Sequence, residues 1–129
     1  MTWSLDARIL IVIVGDQAAL ETALAGGLPA ALLLGPAAEG GSRPDTLPPG
    51  AVALARFDLS AAAHAAACAC CAGRGPAAAA LDRLFQARVR NACPWFERVV
   101  ALAETPEAEA EIAAALMRDA VTAARFRAG

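Results

Sequence analysis

The chain has 129 residues, 58% of them hydrophobic, and a net charge of −2 at pH 7. That length holds one domain, spanning 1–129, with a sizeable core. The near-neutral charge gives no electrostatic basis for binding nucleic acid or an anionic membrane. All eleven basic residues are arginine, which excludes chemistry that needs a lysine amine, such as a Schiff base or a phosphate-gripping ammonium.

The first apolar run, Ile9 to Val14, is about a third of the length that a membrane-crossing helix needs. Asp6 precedes it and Asp16 closes it with no basic start, unlike a signal peptide. With Arg8 ahead of it, the run is β-branched and does not alternate, so it reads as a parallel strand covered on both faces. Gly15-Asp16 ends the strand, and Gln17 to Ala25 reads as a helix stopped by Gly26-Gly27. Ala30 to Leu34 is a second strand. Residues 35–50, rich in Gly, Pro and Ser, read as a surface loop, and Val52 to Phe57 as a third strand.

Ala61 to Ala67 is a low-complexity stretch that holds the one histidine, His64. Gly73-Arg74-Gly75-Pro76 is a turn that opens a helix. Leu81, Leu84, Phe85 and Val89 mark the helix's inner stripe, and Arg83, Arg88 and Arg90 its wet side. The stretch 91–95 breaks the helix at Pro94, and Phe96 to Ala103 is a fourth strand. Thr105-Pro106-Glu107 is a helix start, with a hydroxyl cap, a proline at the first helical position and an acid at the positive dipole end. Ile112, Leu116, Ala120 and Ala123 form this helix's inner stripe. Apolar strands alternating with helices predict a three-layer α/β domain with a mostly parallel sheet of about four strands.

Three of the four cysteines fall within four residues, as Cys68, Cys70 and Cys71. Thiolates at this spacing converge on one soft metal ion (Zn²⁺, Co²⁺ or Cu⁺) or exchange disulfides. Tetrahedral zinc takes four ligands, so three thiolates leave a position for His64, Cys93, water or a partner's group. Adjacent residues of an extended chain point to opposite sides, so convergence of Cys70 and Cys71 requires a bend. The bland alternative is three idle thiols. This cysteine usage does not match a secreted disulfide framework and places the chain in a reducing cytoplasm. Cys93 and Phe96 read as core residues, as does Trp95, while Trp3 reads as an exposed anchor.

The turn after the first strand is where an α/β protein keeps a phosphate loop, a pattern of Gly, four residues, Gly, Lys, then Ser or Thr. Gly15 and Thr22 occupy its first and last places, but Leu20 stands for the second glycine and Glu21 for the lysine. Leucine crowds a backbone that must wrap phosphates. A like charge at ~4 Å costs about 4 kcal/mol at an effective dielectric near 20. These residues argue against ordinary nucleotide triphosphate binding, and an ordinary strand-to-helix turn is the plain alternative.

Taken together, the segments resemble the CobW family of P-loop GTPases, metal chaperones related to cobalamin and zinc handling. That family places a Gly-Cys-x-Cys-Cys motif after a strand. A Phe-Asp-Arg-Val-Val-Ile-Glu-Thr-Thr-Gly segment follows, then a helix ending in Asp and an Ala-Ala-Arg-Tyr-Arg-like stretch. The counterparts here are Cys68-Ala69-Cys70-Cys71, Phe96-Glu97-Arg98-Val99-Val100-Ala101-Leu102-Ala103-Glu104-Thr105-Pro106, and Asp119 followed by Ala123-Ala124-Arg125-Phe126-Arg127. The family's phosphate-loop lysine and second glycine are lost, and its acidic metal-coupling residues after the second strand are not evident. The resemblance implies a truncated P-loop-NTPase-like domain that binds Zn²⁺ or Co²⁺ through Cys68, Cys70 and Cys71, with His64 as a candidate fourth ligand, and that does not hydrolyse GTP. The alternative is a non-catalytic interaction module that forms a homo-oligomer or docks on a full-length CobW-type partner. An active GTPase ranks last.

Overall fold

The computed structural model describes residues 7–26, 28–37, 47–59 and 75–129. The β-branched run forms β1 (Ile9–Val14), and a two-residue turn leads into α1 (Gln17–Leu24). The apolar runs that follow form β2 (Ala30–Leu34) and β3 (Ala51–Arg56). Pro76 opens α2 (Pro76–Val89), which feeds β4 (Arg98–Leu102). Thr105 caps α3 (Pro106–Arg118) as its sequence requires, its hydroxyl accepting from the Ala108 N–H at 3.1 Å. A short α4 (Ala120–Arg125) then passes into β5 (Phe126–Ala128).

The sheet has five strands rather than about four, in the order β3-β2-β4-β1-β5, and every pair is parallel. The extra strand comes from a stretch that reads as the end of one long helix. Asp119 breaks that helix with extended backbone and caps α4, accepting from the N–H and the hydroxyl of Thr122 at 2.9 and 3.1 Å. The predicted inner stripe therefore stops with α3: Ile112 is buried and Leu116 partly buried, but Ala120 is exposed.

Two apolar clusters sandwich the sheet. On one face Ile9, Ile11, Leu33, Val99 and Phe126 pack with Leu81 and Leu84 of α2 and Ile112 of α3. On the other, Leu20 and Leu24 of α1 cover Leu32, Leu34, Val100 and Leu102. The alternating side of β1 is covered on one face only: Leu10, Val12 and Val14 are half-buried. The continuous run predicts cover on both faces, but eight-residue α1 sits over β2 and β4 and does not extend across β1.

Three local readings are also corrected. Val89 is 50% exposed, because the stripe of α2 shifts toward its alanines 77, 78 and 80, which are buried. The helix ends at Val89, ahead of Pro94. Asn91 takes a left-handed φ of 57°, and the N–H groups of Asn91 and Ala92 return to the carbonyls of Arg88 and Ala87, the hydrogen-bond pattern of a Schellman turn. Trp95 is 57% exposed, lying against the Arg88 guanidinium with the ring centroid 3.7 Å away, while Phe96 takes the core position.

Candidate functional site

In a parallel sheet, ligands bind at the carboxyl ends of adjacent strands whose connections leave toward opposite faces. Here those strands are β1 and β4: β1 feeds α1 on one face, and β4 feeds α3 on the other. Hydrogen bonds just beyond the strands hold this edge in a row. The N–H of Ala103 donates to Val14 at 2.9 Å, that of Gly35 to Leu102 at 3.0 Å and that of Phe57 to Leu34 at 3.0 Å. Gly15, Gly35, Phe57 and Ala103 thus line one fixed rim.

The predicted phosphate-loop residues all lie in α1 or its turn, and their side chains have other work. The turn is two residues long, Gly15 and Asp16, and the Asp16 carboxylate caps α1 by accepting from the Ala19 N–H at 2.7 Å. An anion thus already occupies the positive end of the helix. Leu20, at the second-glycine position, is fully buried in the α1-side cluster. Glu21 is exposed, and its carboxylate receives a long 3.5 Å hydrogen bond from Gln17. The Thr22 hydroxyl donates back to the Ala18 carbonyl at 3.0 Å. A Cβ on Gly15 would meet open space, so glycine is not required there by crowding.

His64, Cys68, Cys70 and Cys71 lie outside the described residues. Their segment is framed by described residues on both sides. It leaves from Leu59, just past the carboxyl end of β3, and returns at Gly75, the N-cap of α2. The return point is held from α3, where the Glu111 carboxylate accepts from the Ala77 N–H at 3.2 Å. Glu111 does for α2 what the side-chain-free cap Gly75 cannot.

Cys93 belongs elsewhere. It follows α2, and the 14 residues of that helix separate its two ends by ~21 Å at ~1.5 Å per residue. It packs against the core, and burial pushes its thiol above the ordinary cysteine range, which disfavours the thiolate that a metal needs. Among the described residues no group of three or more His, Cys, Asp or Glu side chains could hold a metal ion, and no helix is long and apolar enough to cross a membrane.

Sequence reasoning missed a second feature, at the opposite end of the sheet. Arg8, Arg88, Arg127 and Glu97 line a cavity of about 230 Å³. These residues come from the starts of β1 and β4, the last turn of α2 and from β5, and only the strand pairing unites them. No family model matches the chain, and neither the curated proteins nor the solved structures give a match.

Proposed function

We propose that this chain is a degenerate, CobW-like, P-loop-NTPase-like domain that binds a transition-metal ion without turning over a nucleotide. Cys68, Cys70 and Cys71 supply three thiolates and His64 a fourth ligand. The observation that carries the reading is the donor set itself, three thiols within four residues. Soft sulfur and imidazole ligands suit Zn²⁺ and Co²⁺, and an ion held by three thiolates and one exchangeable ligand suits transfer or sensing. The frame of the segment supports this. Both flanks are fixed, one at the end of β3 and the other at the capped start of α2. The turn after β1 supports the second half of the reading, because its helix end is capped by Asp16 and its second-glycine position is a core leucine.

The test is metal loading of the purified, reduced chain with Co²⁺ and Zn²⁺. The expected result is a bound ion with thiolate-to-cobalt charge-transfer absorption, lost in a Cys68→Ser, Cys70→Ser, Cys71→Ser triple variant and kept in Cys93→Ser. Equal metal content in the parent and the triple variant refutes it.

A second reading, an interaction module, draws on the half-covered Leu10, Val12 and Val14 and on Met117, which is 82% exposed on α3. Light scattering of the metal-free chain separates the two: a dimer that persists in the triple cysteine variant favours the module.

A further inference from the structure

We draw no further inference here: the strongest candidate, the apolar groove beside α1 lined by Leu20, Leu24, Pro48 and Pro49, carries nothing because nothing in the structure shows what covers it.

Discussion

Introducing the glycine and the lysine of the phosphate-loop pattern at positions 20 and 21 is the sharpest test of how the turn after β1 is used. Leu20→Gly removes a fully buried side chain that packs with Leu24, Leu32, Leu34, Val100 and Leu102. Truncation of a buried leucine to alanine costs ~2–5 kcal/mol, and glycine in place of alanine within a helix adds ~1 kcal/mol. The sum, about 3–6 kcal/mol, is a large share of the ~5–15 kcal/mol that holds a domain of ordinary stability together. Glu21→Lys acts on an exposed side chain with one long hydrogen bond, so its effect stays within about 0.5 kcal/mol. Urea denaturation of the two single variants and the double variant should show this split. Calorimetric titration with GTP and Mg²⁺ should show no micromolar binding in Glu21→Lys, because Asp16 still caps the helix and the turn still has two residues. Micromolar GTP binding by Glu21→Lys would falsify the argument. Loss of less than about 1 kcal/mol in Leu20→Gly would show that Leu20 is not a core residue, contrary to its packing.

Gly50, just ahead of β3, and Gly15, on the rim, should respond oppositely to substitution. Gly50 has φ +91°, and a Cβ there would lie 2.7 Å from the Leu24 carbonyl oxygen, so Gly50→Ala is expected to lower the unfolding free energy, read by urea denaturation, by more than about 1 kcal/mol; Gly15→Ala, with open space around its Cβ, should leave it within ~0.5 kcal/mol. Arg98→Ala deletes two 2.8 Å hydrogen bonds to the Ala23 and Leu28 carbonyls at the end of α1, and a loss of about 2 kcal/mol is expected, with α1 amides exchanging faster in hydrogen-exchange mass spectrometry. For Cys93 the sign follows from its raised pKa. The folded chain holds the thiol proton more tightly than the unfolded chain, so this contribution is complete below the unfolded pKa and is lost as pH rises through the folded value. Stability should fall in the alkaline range above about pH 8.5 and fall less in Cys93→Ser, read by denaturation at pH 7, 9 and 10.

The alternation of apolar strands with helices was legible because each strand is buried by its own neighbours: Ala30 to Leu34 is apolar throughout, and all five residues are buried. Thr105-Pro106 was legible because a cap is a short-range event settled within four residues. What the sequence hid depends on partners far along the chain. Phe126 reads as helix until it pairs with Ile9, more than a hundred residues earlier. Trp95 reads as core by its chemistry, yet the place goes to Phe96, and only the position of Arg88 gives the indole its partner. The candidate phosphate-loop residues were placed correctly at the strand exit, but Leu20's role in the α1-side core could be seen only with β2 and β4 beneath it. The cavity arginines have no local spacing at all, since strands that are adjacent in the sheet are not adjacent in sequence.

The exclusive use of arginine is structural as well as compositional. An alanine-rich chain offers few side-chain acceptors, while every helix and strand end leaves carbonyls to be satisfied. Arginines meet that need across long sequence separations. Arg8 donates to Ala123, Arg83 donates to Arg56 at 2.7 Å, and the two arms of Arg98 hold two carbonyls 2.8 Å away. Arg98 in particular stands in the sheet and places its charge against the negative end of α1. A lysine ammonium is a compact point charge without a fixed fork, so Arg98→Lys should keep the attraction to the helix end but lose the simultaneous hold on both carbonyls. α1 thus runs between the two edges of the sheet, with the Asp16 cap at the carboxyl edge and the Arg98 contact toward the amino edge.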